Sequence, residues 1–326
     1  MQALPEPVAD AACRLVGLAL TSGRAEARIM YARHLRRVLG DDLSDAEVRA
    51  WTRRAFVAYA RYWMEGARLP SVPAGKVLAR MIRPEGMEHL EEGLAAGRGV
   101  IMALPHVGSW EWGGAWLALK GYPMTAVAEP LEPPELYDYF VDQREQIGLN
   151  IVKLGPGTGS AILKALRSNC LVGLLCDRDI VGNGAEVEFF GERTTLPSGP
   201  ASLALRAGAM LLPTVVYSGP GRDHSAVIRP PLSTERTSNF RTDVARITQE
   251  LAYELEGLIR RAPEQWHLFQ PNWPSDAAYA KGSHKDHSES HKESHEESVS
   301  ERDGEISIVR DVGHNARSTG ASGVAS

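Results

Sequence analysis

The sequence predicts an α/β fold: a mostly parallel central sheet covered by helices on both faces, with N-terminal helices and a disordered C-terminal tail. Three observations carry this. From Val100 onward, short apolar runs alternate with helical patterns, as in strands joined by crossover helices. Before Val100, apolar residues recur at helical spacing. From about Lys281, Ser, His, Glu and Lys dominate, and such a segment cannot bury enough apolar surface to offset its ordering entropy.

In order along the chain, Val8–Leu20 reads as an amphipathic helix containing Leu15, Val16, Leu18 and Leu20. Ile29–Leu39 is a second, with Arg33, Arg36 and Arg37 on its polar side. Ser44 and Glu47 form a capping box that starts a third, in which Val48, Trp51, Phe56, Tyr59, Tyr62 and Trp63 recur at helical spacing beside Arg49, Arg53, Arg54 and Arg61. The aromatic stripe reads as core packing; the arginines also fit contact with an anionic lipid surface. Pro70 and Pro73 break the helical region, and a short helix follows over Gly86–Ala96.

Strands are expected at Val100–Leu104, Met124–Ala128, Asn150–Leu154, Leu171–Cys176, Leu211–Tyr217 and Ala226–Arg229. Helices between them are expected at Trp110–Leu119, Pro134–Ile147, Ser160–Arg167 and Gly199–Ala207. Val187–Gly191 and Thr194 suggest a hairpin or loop that returns Gly199 to the sheet edge. A last helix, Thr242–Arg261, keeps Val244, Ile247, Leu251, Leu255 and Ile259 on one face. The expected division is 1–84 (helices with possible membrane-surface contact), 85–275 (α/β core) and 276–326 (tail).

Composition excludes several classes. At 43% hydrophobic residues over 326 positions the chain can bury a sizeable core, and a net charge of −5 argues against nucleic acid as a partner. Arg24–Arg80 nonetheless holds twelve Lys/Arg against six Asp/Glu, so its basic character is local. Cys13, Cys170 and Cys176 have neither metal spacing nor a disulfide framework and point to a reducing compartment. The start of the chain, with Pro5, Glu6 and Asp10 after Met1 and no basic region, does not read as a signal peptide, and no apolar stretch approaches the ~20 residues that span a bilayer. His284, His287, His291 and His295 lie in the tail and are assigned no metal site.

The chain is organised around Leu-Pro-His106-Val-Gly-Ser-Trp-Glu111-Trp. Pro105 ends a strand, because it cannot donate to a ladder, and Ser109 caps the next helix. His106 therefore sits beyond the carboxyl end of a buried strand, where open α/β sheets bind ligands. A histidine there can take a proton from an alcohol and return it. A carboxylate would fix its tautomer, and two are candidates. Glu111 lies in the first turn of the following helix, but five residues turn through roughly 500°, so the pair shares no helix face. Asp177, in Asp177-Arg178-Asp179, directly follows the apolar strand Leu171–Cys176, at the same sheet edge. Gly155-Pro-Gly-Thr-Gly-Ser160, between a strand and a helix, partly matches a dinucleotide fingerprint and also suits an ordinary βα loop.

These segments carry a resemblance to the bacterial lipid A lauroyl/myristoyl acyltransferase superfamily, closest to its phosphatidylinositol mannoside branch. They are Ala103–Glu111, Thr125–Glu129, Asp177–Asp179, Glu186–Glu192, Pro197–Pro200 and Trp266–Trp273, in an order that spans Tyr59 to Trp273. The resemblance implies transfer of a long acyl chain from acyl-CoA, or from acyl carrier protein, to a sugar hydroxyl of a glycolipid. His106 would be the base, and no acyl-enzyme would form. It implies that Asp177 partners the histidine, where relatives often carry Glu, and that Glu111 stabilises the loop. Arg144 matches an arginine that contacts the donor, and Arg178, Asp179, Glu129 and Asn183 are placed with substrate binding. Pro130 stands where relatives often carry Arg, and Arg206 where the mannoside branch carries an acid. No cofactor or metal is implied beyond the donor. The implied location is peripheral, on the cytoplasmic face of the inner membrane. The competing readings are a lipid A-type acceptor with a carrier-protein donor, a dinucleotide-dependent oxidoreductase using the Gly155 loop, and a membrane-binding protein without catalysis.

Overall fold

The computed structural model describes residues 5–130 and 132–276. The helices α1 (Glu6–Gly23), α2 (Ala25–Leu39) and α3 (Asp45–Arg68) come first. Next are α4 (Ala74–Arg80), β1 (Met81–Glu85) and α5 (Met87–Ala95). The alternating part runs β2 (Val100–Leu104), α6 (Trp110–Leu119), β3 (Met124–Ala128), α7 (Pro134–Gln146), β4 (Leu149–Lys153), α8 (Thr158–Arg167) and β5 (Leu171–Leu175). After these come β6 (Ala185–Phe189), β7 (Glu192–Leu196), α9 (Gly199–Ala207), β8 (Met210–Ser218), β9 (His224–Ile228) and α10 (Phe240–Arg260). The tail expected from 276 lies, beyond Asp276, outside the described residues.

Seven strands form one sheet in the order β1-β9-β8-β2-β5-β3-β4. Every neighbouring pair is parallel except β8–β9. β6 and β7 form a separate antiparallel hairpin. Successive residues of a strand face opposite sides, and β2 shows how this builds two cores. Ile101 and Ala103 pack with α8, α9 and α10, through Leu166, Ala204 and Leu255. Val100, Met102 and Leu104 pack with α4, α5 and α6, through Val77, Leu90 and Trp116. The sheet is thus mostly parallel and covered on both faces.

β1 was not anticipated. Its Arg83 and Pro84 break the apolar pattern, and both are tolerated because β1 is an edge strand whose outer side needs no ladder partner. α1 also differs from the reading that weighted its leucines. Its buried stripe is Ala9, Cys13, Gly17 and Thr21, whereas Leu15, Val16 and Leu18 are exposed. Small residues let α1 lie close on α3: a Cβ at Gly17 would stand 2.6 Å from the Val57 Cα. The capping box of α3 is present, with Ser44 Oγ accepting from the Glu47 amide and Glu47 accepting from the Ser44 amide.

Candidate active site

The site begins with register. β2 and β5 are neighbours with Leu104 opposite Leu175. Two residues on, past Pro105 and Cys176, the chains deliver His106 and Asp177 side by side at the carboxyl edge of the sheet. The ladder's last bond, Cys176 N–H to Leu104 O at 2.8 Å, holds the two exits together. His106 Nδ1 lies 2.6 Å from Asp177 Oδ1, and the His106 amide donates to Asp177 Oδ2 at 3.0 Å. Asp177, one methylene shorter than a Glu, makes this contact directly.

Asp177 is fully buried, whereas 29% of the His106 side chain is exposed. Burial alone would raise the Asp177 pKa. The charge of His106 and hydrogen bonds from His106 and Trp266 outweigh it and hold the carboxyl below its ordinary range. Trp266 Nε1 donates to Oδ2 at 2.7 Å, and Asn272 Nδ2 donates to the Asp177 carbonyl at 3.1 Å. An ionised carboxylate only accepts, so Nδ1 of His106 bears a proton, and in the neutral ring the lone pair is on Nε2.

The loop that bears His106 is tied on both sides. Gly108 donates its amide to Gln265 O at 3.0 Å, and Ser109 donates to Val216 O at 3.1 Å. Only glycine fits at 108: φ is +63°, and a Cβ would stand 2.1 Å from the Val216 carbonyl oxygen. The His267 amide donates to His106 O at 2.7 Å, and His267 Nε2 donates to Gly108 O at 3.1 Å. Burial pushes the His267 pKa down to about 4, so the ring is neutral and offers that one N–H.

Behind the loop lies a second polar cluster. Glu65 of α3 accepts from Ser109 Oγ at 2.8 Å and from His224 Nε2 at 3.3 Å, and pairs with Arg61 at 2.7 Å. Burial opposes ionisation, but the His224 hydrogen bond and the Arg61 charge bring the Glu65 carboxyl down to about 2. His224 stacks on Trp112 with ring centroids 4.2 Å apart. Ser109 stands at the N-cap position of α6, but its hydroxyl caps no helix amide; it turns to Glu65 and so fastens α3 to the start of α6.

Glu111 does not meet His106. Its Oε1 accepts from Tyr62 at 3.0 Å and from Arg144 Nη2 at 3.1 Å, so it joins α3, α6 and α7. Its Oε2 is buried without a partner. Burial outweighs Arg144 and Tyr62 and raises the Glu111 pKa. Arg144 also lies over the Trp110 ring, 4.9 Å from its centroid. Arg178 reaches Glu129 at 3.3 Å. Asp179 accepts from the amides of Gly182 and Gly184 at 2.9 and 2.8 Å and so shapes the loop that presents Asn183, which is exposed. Arg206 stacks over Phe240.

The Gly155 loop closes on itself, since the Gly155 amide donates to Thr158 Oγ1 at 2.8 Å. Phe189 and Phe190 pack against Trp266 and Trp273 and belong to the core. Sequence reasoning placed Tyr62 in a core-packing stripe and Trp266–Trp273 among the resembling segments, but gave Tyr62, Glu65, Trp266, His267 and Asn272 no role in the site. The Trp266–Trp273 cluster was the available signal, since a dense run of aromatic and amide side chains after the last helix needs something to pack on. Among the described residues no helix is long and apolar enough to cross a membrane, and no group of three or more metal-ligating side chains is present.

Comparison with known proteins fits this architecture. The family model described as bacterial lipid A biosynthesis acyltransferase matches residues 1–275. The phosphatidylinositol mannoside acyltransferase of Mycobacterium tuberculosis (strain ATCC 25618 / H37Rv) is 40% identical over 228 residues, 69% of this chain and 70% of that protein. The protein of the same name from Mycolicibacterium smegmatis is 37% identical over 250 residues, 75% of this chain and 79% of its own. A lipid A biosynthesis acyltransferase of Haemophilus influenzae is 27% identical over 187 residues, 56% of this chain and 55% of that protein. With nearly every described residue inside the family match, the chain belongs to the bacterial lipid A biosynthesis acyltransferase family and is an acyltransferase.

Proposed function

We propose that the protein transfers a long-chain acyl group from acyl-CoA to a mannose hydroxyl of a phosphatidylinositol mannoside, with His106 as general base. The observation that carries the reading is the buried Asp177 carboxylate on His106 Nδ1, which leaves Nε2 as a base at the sheet edge. In this reaction Nε2 takes the hydroxyl proton as the oxygen attacks the thioester carbonyl. The tetrahedral intermediate collapses, the C–S bond breaks, and the imidazolium returns the proton to the leaving thiolate. No acyl-enzyme forms and no cofactor is needed. Asp177 stabilises the imidazolium and fixes its orientation. Glu111 acts by bracing Arg144 and the α6 start, and Arg144, Arg178, Asp179, Glu129 and Asn183 border the substrates.

Two features support an acyl donor. A pocket of about 140 Å³ between α3 and α7 is lined by Tyr62, Trp63, Tyr139, Phe140, Arg144 and Glu111. Trp110 and Trp116, with Met81, Met87, Met102 and Met124, line a second, small apolar space of about 20 Å³. Methionine side chains re-pack easily, so this space can widen around a chain. The exposed Leu15 and Ile29 beside arginine-rich helices support peripheral membrane binding, which this reading assigns to the cytoplasmic face of the inner membrane. The resemblance to the mycobacterial enzymes supports the mannoside acceptor.

The test is acyl transfer from palmitoyl-CoA to purified phosphatidylinositol mannosides. Wild type should form an acylated mannoside, and His106→Ala should lose about 10²–10⁴-fold or more in rate while keeping its fold. The Haemophilus influenzae relative favours a second reading, a lipid A-type acceptor, and the donor in that reading is acyl carrier protein. Product from that pair alone would select it, and no thioester turnover with either donor would reject both.

A further inference from the structure

A cleft of about 770 Å³ opens between α1, α3 and the segments around Ser218 and Gln265, and neither His106 nor Asp177 lines it. Its charge is one-sided: Arg14, Arg53, Arg54 and Arg61 face a single acid, Glu264. Arg61 is committed to Glu65 and, through Nη1, to the Gly219 carbonyl at 2.9 Å, yet its Nη2 is buried without a partner. Arg14, Arg53 and Arg54 are exposed and make no ion pair among the described residues. Arg54 lies over the Trp51 ring at 4.8 Å, which limits where its guanidinium can swing. Four neighbouring guanidinium groups repel one another unless an anion sits among them, and their forked donors match phosphate oxygens.

The same cleft has an apolar lip. Leu18 lines it. Leu15, one turn back on α1, is 68% exposed, and Val8, two turns further on that face, is 50% exposed. A soluble phosphate ester would satisfy the arginines and leave these side chains in water. A bilayer satisfies both, with charge at the headgroup level and leucines among the chains. We propose that this cleft binds the phosphodiester headgroup of an anionic phospholipid and seats α1 on the bilayer. The proposal rests on the peripheral-membrane part of the function given above and assigns it a site.

The experiment is co-sedimentation of the full chain with phosphatidylcholine vesicles containing phosphatidylglycerol. A basic residue near such a surface contributes about 1 kcal/mol, close to fivefold in affinity, so R14Q/R53Q/R54Q should weaken binding on the order of a hundredfold. The three substituted side chains are exposed, so folding should persist, checked by thermal unfolding. R98Q/R167Q/R241Q removes the same charge from exposed arginines outside the cleft and should weaken binding by less than about fivefold. Leu15→Asp should weaken it by about tenfold or more, through lost burial of one leucine. Equal losses in the two triple variants would overturn the proposal. So would tight saturation of the cleft by soluble glycerophosphoglycerol with no effect of Leu15→Asp. Binding is read without turnover. A wild type that transfers no acyl group but needs the cleft arginines for vesicles would refute the reaction and support the cleft.

Discussion

Replacing Asp177 by Asn tests the acid–base pair most sharply, because shape is kept while acceptor number changes. Asp177 Oδ1 takes the His106 Nδ1 proton, and Oδ2 takes two more, from the His106 amide and Trp266 Nε1. Asn offers one acceptor oxygen for these two places. With two donors at the Oδ2 position, the carbonyl oxygen turns there and the amide nitrogen faces His106. That nitrogen donates, so Nδ1 must accept and the ring proton moves to Nε2, where the base should be. A wrong tautomer of this kind costs about 10⁴-fold in kcat, or about 5.5 kcal/mol of transition-state stabilisation. The opposite rotamer sets the amide N–H groups against two buried donors, which should lower stability by about 1–3 kcal/mol. The assay is thiol release from palmitoyl-CoA in the presence of acceptor, with thermal unfolding as the fold control. A folded Asp177→Asn enzyme within tenfold of wild type would refute the reasoning, as would a larger loss in Glu111→Gln.

Other outcomes follow from the same geometry. Gly108→Ala should abolish activity and lower the melting temperature, since its Cβ would strike the Val216 carbonyl at 2.1 Å; an unchanged melting curve would contradict the tight loop. Glu65→Ala strands Arg61, His224 and Ser109 and should cost about 3–5 kcal/mol in chemical denaturation, whereas Glu65→Gln should recover part of that. His267 gives a pH effect of definite sign. Its folded pKa is depressed to about 4 from 6.5, so the unfolded chain binds the extra proton between these values. Stability from this group is complete above pH 6.5 and declines as pH falls toward 4, by about 3 kcal/mol. His267→Gln should flatten that part of the stability profile, and an unaltered slope would exclude His267 as its source.

How much of this could be read in advance depended on range along the chain. Pro105 and Ser109 punctuate the His106 loop, so β2 and α6 were legible to the residue. Asp177 was legible as a candidate because charges directly follow an apolar strand, and parallel pairing of β2 with β5 then brings it to His106. The choice between Asp177 and Glu111 was not legible, since it turns on strand order rather than spacing. Trp266 and Asn272 reach Asp177 from the end of the core, and no local pattern records a contact of that span. α1 misled for a different reason. Its close approach to α3 selects Ala9, Cys13 and Gly17 for the interface, and small residues leave a faint hydrophobic period beside exposed leucines.

The segment from Pro263 to Trp273 has a consequence for how the protein comes into being. It supplies two of the donors on Asp177, through Trp266 and Asn272. It is itself gripped from the other end of the chain, where Tyr31 donates to Pro263 O and His34 contacts Gln270 O. A ribosome makes this segment only after every strand of the sheet has emerged, and domains assemble as their residues become available. The nascent sheet can therefore bring His106 and Asp177 together while the carboxylate still lacks its indole partner and the Asp177 carbonyl its Asn272 amide. Completion of the pair waits for the segment after α10, so a chain stalled before Trp266 would hold the strands of the sheet without a finished acid–base couple.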